Sequence, residues 1–185
     1  MPRLAAALVH APCLDKHGNV YTTSITNLDV HDIARSAVTY GLDAFYIDTP
    51  IAAQQLMARE IIGFWEDGAG RTRNPDRGTA LRIASVVTTL GDALRAETAF
   101  LGQRPLLVVT SAKEQGSTTC AALRTRLQSE SALIAFGTGH GLAPAVVDGA
   151  DVVLEPLRGA PQTPGYNHLS VRSAAAIFFD RLRST

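Results

Sequence analysis

The feature that most constrains this chain is a set of short runs that are apolar almost throughout. Residues 4–10, 44–47, 106–109 and 133–136 are of this kind, with longer helical patterns between them. A strand wetted on one side alternates apolar and polar residues. A run without alternation is buried on both faces. Such strands, separated by helices, specify an α/β fold: a parallel sheet with helices on both faces. Residues 152–154 read as a further strand, and 83–88 fit strand or helix. Asp29 is expected to cap a helix whose stripe of Val30, Ile33, Ala34, Ala37 and Val38 ends near Gly41. Helical patterns also cover 52–65, 92–101 and 169–183, and Ser117 is expected to cap another that runs to about residue 129. The last helix gathers Val171, Ala174, Ala175, Phe178 and Leu182 on one side. Residues 67–78 read as a glycine- and arginine-rich loop. No repeat, low-complexity segment or linker breaks the pattern, so the expectation is one domain over 1–185.

In open parallel sheets, ligands sit at the carboxyl ends of strands, on the loops that lead into helices. Three late loops stand there. The first is Thr110, Ser111, Ala112 and Lys113. The second is the GTGHGL run, Gly137 to Leu142. The third, residues 155–168, is long and rich in proline and glycine. Glycines at a strand end let backbone N–H groups approach a ligand. GTGHGL alone is also an ordinary strand-to-helix turn. Its spacing departs from GxGxxG, and no Walker A motif occurs. A loop as long as the third is uncommon without a function. It feeds Asn167, His168 and Ser170 into a helix start, where Ser170 reads equally well as a helix cap.

Charge narrows the partners. The 17 basic and 17 acidic residues cancel, so nucleic-acid binding needs a local patch or a second subunit. Arg71, Arg73 and Arg77, with Arg82 nearby, offer such a patch, since guanidinium forks suit phosphate. A solvated loop is the plain alternative. The single tryptophan, Trp65, reads as a core or dimer-interface residue. On the first long helix His31 and Arg35 share a face, and Asp32 is spaced to pair with Arg35. Cys13 and Cys120 form no CxxC, the histidines lack metal-ligand spacing, and no metal is expected. No stretch approaches the roughly 18 apolar residues of a membrane span. The expectation is a soluble cytoplasmic protein without a membrane partner.

Taken in order, TNLDVHDIARSAVTYGLDAFYIDTP, WEDGAGRTRNPDRGTAL, LLVVTSAK, LIAFGTGHGLAP, VLEPLRG and YNHLSVRSAAAI resemble the SPOUT superfamily of RNA methyltransferases. They are most similar to the small bacterial SAM-dependent family related to tRNA guanine-N1 methyltransferases. The resemblance covers nearly the whole chain. It implies a C-terminal trefoil knot and a homodimer whose active site is completed by the second subunit. It implies S-adenosyl-L-methionine (SAM) as cofactor and an RNA substrate, tRNA or rRNA. The cofactor residues it implies are Thr110, Ser111, Gly137, Gly139, His140, Gly141, Leu157, Gly159, Tyr166, Asn167 and Ser170. Arg35 and Asn27 match the first SPOUT motif, which acts at the RNA target, and Ser170 belongs to the third loop of the same site. The proton acceptor is expected to be His168, or else His31 or Asp32 from the partner subunit. The ribose-methylating branch ends its third loop with Ser-Leu-Asn. Here His168, Leu169 and Ser170 stand in that place, which leaves base and ribose methylation both open. Other readings of the residues remain: an inactive SAM- or RNA-binding dimer, another nucleotide-dependent α/β enzyme, or a methyltransferase acting on protein or a small molecule.

Overall fold

The computed structural model describes residues 2–113, 116–162 and 166–184. The strands are β1 (Leu4–Val9), β2 (Cys13–Leu14), β3 (Val20–Tyr21), β4 (Ala44–Asp48), β5 (Ala84–Val87), β6 (Leu106–Val109), β7 (Ala132–Gly137) and β8 (Val152–Val153). The helices are α1 (Asn27–Thr39), α2 (Ala52–Glu66), α3 (Ala69–Arg73), α4 (Pro75–Leu81), α5 (Leu90–Leu101), α6 (Cys120–Arg126), α7 (Pro144–Asp148) and α8 (Val171–Arg183). Six strands form one sheet in the order β5-β4-β1-β7-β6-β8. Every pairing in it is parallel. The expected architecture is therefore observed.

The sheet separates two cores. Leu4, Ala6 and Leu8 of β1 face one side, with Phe45, Ile47, Ile134 and Phe136, under α1, α2, α4, α6 and α8. Ala5, Ala7 and Val9 face the other, with Tyr46, Leu133 and Ala135, under Leu90 and Ala93 of α5. The central strand is buried at every position, which explains why it shows no alternation. At ~25 cal/mol per Å² of apolar surface removed from water, these faces are the main stabilising term.

Several local expectations are corrected. Helix α1 is capped by Thr26, whose hydroxyl accepts from Asp29 N at 3.2 Å and donates to the Asp29 carboxylate at 2.6 Å. Asp29 sits inside the first turn and is buried, where it pairs with Arg172 at 3.0 Å. Asp32 also turns to Arg172, at 3.4 Å, rather than to Arg35. Two cations compete for these carboxylates, and the tertiary one also braces α1 against α8. Residues 67–78 are not an irregular loop. They hold α3 and α4, because Asn74 accepts from Arg77 N and Pro75 opens the second helix. Thr119, not Ser117, caps α6. Residues 83–88 resolve as strand β5. Helix α8 begins at Val171 with Ser170 as its cap. The short helix α7 and the hairpin β2-β3 have no counterpart in the sequence reading.

Candidate functional site

A cleft of about 560 Å³ opens at the carboxyl ends of β6 and β7, a size suited to a small organic ligand. Its apolar floor is Phe136, Leu157, Val171, Ala174 and Phe178. The first loop brings Thr110, Ser111 and Lys113, the second brings Gly137, Thr138, Gly139, His140 and Gly141, and the third returns with Asn167 and His168. The three loops picked from sequence therefore converge on one cavity.

Each loop is held by specific bonds. Thr110 Oγ1 donates to the Ala135 carbonyl at 3.3 Å. Thr138 Oγ1 donates to the Val9 carbonyl at 2.9 Å, and it also meets the Thr23 hydroxyl. Gly139 and Gly141 have φ of 59° and 104°, a left-handed region that L side chains rarely adopt. A side chain at Gly137 would fall 2.7 Å from Leu142 N. The loop is thus glycine by necessity and presents bare backbone to the cleft. Asn167 Nδ2 donates to the Leu157 carbonyl at 2.7 Å, which pins the two ends of the third loop together. Thr163, Pro164 and Gly165 of that loop lie outside the described residues.

Not every expected residue borders the cleft. Gly159 and Tyr166 are exposed and do not line it. Tyr166 packs edge-on against His168 at 5.4 Å, so it reaches the cleft through that ring. Ser170 also stays out: its hydroxyl accepts from Ser173 N at 3.2 Å and caps α8. Asn27 opens α1 and Arg35 lies on the exposed side of the same helix, and neither borders the cleft.

His31 shares a helix with Arg35 but not its surroundings. It is buried and meets Trp65 edge-on at 5.7 Å. Arg77 lies over the same indole at 4.7 Å. Burial pushes the His31 imidazole down, and the neighbouring Arg77 adds to that. Trp65 thus joins α1, α2 and α4 within this chain. Arg71 and Arg73 are exposed beside it on α3. Among the described residues no group of histidine, cysteine, aspartate and glutamate could hold a metal. No helix among them is long and apolar enough to cross a membrane.

The residues missed from sequence lie on the hairpin. Asp15, Lys16 and Gly18 border the cleft. The hairpin is bonded to the glycine loop: Leu14 N donates to the Gly141 carbonyl at 2.8 Å and His140 N to the Leu14 carbonyl at 2.9 Å. The turn signal was present, since Asp-Lys-His-Gly-Asn lies between apolar pairs. Two-residue strands are too short to show a period.

A family model described as SAM-dependent RNA methyltransferase matches residues 3–184. A tRNA (guanine-N(1)-)-methyltransferase of Oleidesulfovibrio alaskensis is 45% identical over 179 residues, 97% of this chain and 41% of that protein. One from Nitratidesulfovibrio vulgaris is 47% identical over 179 residues, with the same 97% and 41% coverage. The chain thus spans about two fifths of the length of these curated relatives. Among solved structures, the SpoU methyltransferase AviRb from Streptomyces viridochromogenes, in complex with AdoMet, superposes with a TM-score of 0.60. The identity is 16%, and the match covers 97% of this chain and 56% of that one.

Proposed function

The chain belongs to the SAM-dependent RNA methyltransferase family, and on that premise we propose that it transfers a methyl group from SAM to a nucleotide of tRNA or rRNA. The observation that carries this reading is the cleft at the ends of β6 and β7, where three loops present backbone groups above an apolar floor. These residues fit the cofactor. The floor suits the flat adenine, the glycines at 137, 139 and 141 leave polar backbone free for it and the ribose, and Thr110 and Ser111 add hydroxyls. The likeness to the SpoU structure supports the same fold. We extend it to a C-terminal trefoil knot. In this chain residues 116–118 run beside β8, with Ser117 N and Thr118 N both donating to the Val153 carbonyl, an arrangement compatible with that reading.

When bound, the cofactor supplies an electrophilic methyl carbon. The chain must then align a nucleophile with it and manage one proton. Gly137, Gly139, His140, Gly141, Leu157 and Asn167 hold and orient the ligand. His168 is the assigned proton acceptor, because it borders the cleft while His31 is shut in under Trp65. Ser170 holds the start of α8 in place behind it, and Tyr166 acts on the site through its contact with the His168 ring. Asn27 and Arg35 lie away from the cleft of their own chain, which supports their serving the cleft of a second subunit in a homodimer. There Arg35 stabilises charge and positions phosphate. Arg71, Arg73 and Arg77 form the RNA-contacting surface. The whole span 1–185 acts as one domain, in the cytoplasm where tRNA and rRNA are found.

Calorimetry with SAM, using NAD and ATP as controls, tests the cofactor reading. One saturable site per subunit is expected for SAM alone, and a folded chain that ignores SAM would reduce the protein to an RNA-binding or structural dimer. Sedimentation tests the dimer. Arg35→Ala is expected to lower single-turnover methylation about 100-fold, and an unchanged rate would remove Arg35 from the site. Arg71→Ala and Arg73→Ala are each expected to weaken RNA binding and to lower its salt slope by about one.

A further inference from the structure

The chain has two lysines against fifteen arginines. Both lysines border the cleft just described, and among the described residues no arginine does. We propose that Lys16 and Lys113 form a cationic rim that takes the carboxylate of the cofactor's methionine tail; the inference rests on the cofactor reading of that cleft.

The two side chains come from different parts of the fold and are both held from behind. Lys16 sits in the turn between β2 and β3. Asp15 builds that turn, accepting from His17 N at 2.7 Å and Asn19 N at 2.8 Å on one oxygen and from Asn19 Nδ2 at 3.0 Å on the other. Asp15 is the only carboxylate bordering the cleft among the described residues, and its oxygens are occupied by its own turn. The Asn19 bonds hold it below the usual carboxylate range. It therefore stays a turn anchor rather than a partner for an ammonium. Lys113 leaves the first loop, where its backbone N–H donates to Ser111 Oγ at 3.0 Å. Among the described residues neither lysine makes an ion pair.

The chemistry of the two cations separates their uses. Arginine presents a planar fork that fits phosphate, and lysine a compact charge on a flexible stem. This chain places Arg71 and Arg73 on an outer surface and keeps lysine for the cleft. A ligand with an adenosine body and an amino-acid tail carries one carboxylate. That group loses water on entering and needs a cation there to offset the loss.

Binding of S-adenosylhomocysteine and of 5′-deoxy-5′-methylthioadenosine to Lys16→Ala, Lys113→Ala and the double variant tests this. The second probe keeps the adenosine and the sulfur but lacks the amino-acid tail. Each single variant is expected to weaken S-adenosylhomocysteine about threefold and the pair about tenfold, the range of exposed ion pairs. Methylthioadenosine affinity is expected to stay at the wild-type value in all three. Both lysines are exposed, and thermal melting checks that the variants fold alike. The rim is overturned if the double variant binds S-adenosylhomocysteine as the wild type does, or loses both probes equally. Unchanged S-adenosylhomocysteine binding with weakened tRNA binding would give the lysines to phosphate instead. A wild type that binds neither probe would overturn the cofactor reading itself.

Discussion

At the carboxyl ends of β1 and β4 the chain buries polar groups beside a smaller cavity of about 420 Å³ lined by Pro12, Pro50, Thr88 and Leu90, whereas the ends of β6, β7 and β8 open into the larger cleft that the three loops share. His10, Asp48 and Thr49 at the first place are fully buried. His10 Nδ1 lies 3.0 Å from the Asp48 carbonyl oxygen. Among the described residues, His10 Nε2 and both Asp48 carboxylate oxygens lack a hydrogen-bond partner. Burial pushes the Asp48 carboxyl up to about 7, which the Leu90 amide offsets in part without reaching hydrogen-bond geometry. The strands of the two halves are alike, since LAAALV, AFYID and ALIAFG are buried almost throughout. The connections differ. β4 ends at Asp48 and α2 begins at Ala52, and β5 ends at Val87 with α5 starting at Leu90. By contrast β6 ends at Val109 and α6 starts at Cys120, while β8 ends at Val153 and α8 starts at Val171. A helix that starts at once covers the strand end, as after β4 and β5. Late starts after β6 and β8 leave room that glycines keep open, and the equally long connection from β1 to α1 carries the hairpin that borders the cleft.

The largest expected effect breaks the frame of the open half. A side chain at Gly116 would sit on the Leu154 carbonyl, which is backbone and cannot swing away. Gly116→Ala is expected to cost about 3 kcal/mol or more and to lower Tm by roughly 10 °C; a melt within a degree or two of wild type would mean the pairing of 116–118 with β8 is loose.

The closed half is tested by pH. A carboxyl whose folded-state pKa is raised stays protonated in the fold after it ionises in the unfolded chain. Its stabilising contribution is complete below about pH 4 and is lost as pH rises through about 7. Asp48→Asn removes that titration. Relative to wild type, its unfolding free energy is expected to gain a few kcal/mol between pH 4 and pH 8 in denaturant titrations. Parallel curves across that window would show that Asp48 is solvated or paired. His10 works in the opposite sense: burial holds its imidazole down, so its contribution is lost as pH falls below the unfolded value of about 6.5.

Two smaller effects sharpen the boundary of the cleft. Gly137→Ala forces a shift of the Leu142 backbone, 2.7 Å from the new carbon. It is expected to weaken SAM about tenfold and to lower Tm as well, and equal affinity in the folded variant would mean the second loop does not contact the ligand. Ser170→Ala removes a cap and is expected to cost about 1 kcal/mol of stability. Its methylation rate separates the two readings of this serine, because a pure cap leaves the rate per folded molecule untouched.

The parts read well from sequence are those written in local periodicity. The fully apolar strands specified a buried parallel sheet, and the SPOUT resemblance is borne out by the family match over residues 3–184. The local misreadings have two causes. Asp29 and Ser117 lose the cap to Thr26 and Thr119, neighbours a few residues away that local pattern does not separate from them. Asp32 turns from Arg35 to Arg172, which also pairs with Asp29 from 143 residues away. Residues 67–78 look like a loop by composition, yet Gly70 and Gly78 are pressed against Phe64 and Trp65, a packing that glycine content alone does not reveal.

By itself, then, the sequence determined the sheet, its covering helices and the three loops at strand ends, because burial on two faces and glycine at a turn leave marks within a few residues. Only the tertiary structure decided that the hairpin from Cys13 to Tyr21 walls the cleft, that His31 is shut in while His168 is not, and that Lys16 and Lys113 share a rim. Those arrangements join positions such as Val9 and Thr138, 129 residues apart, and a contact across that distance is set by packing rather than by any local pattern.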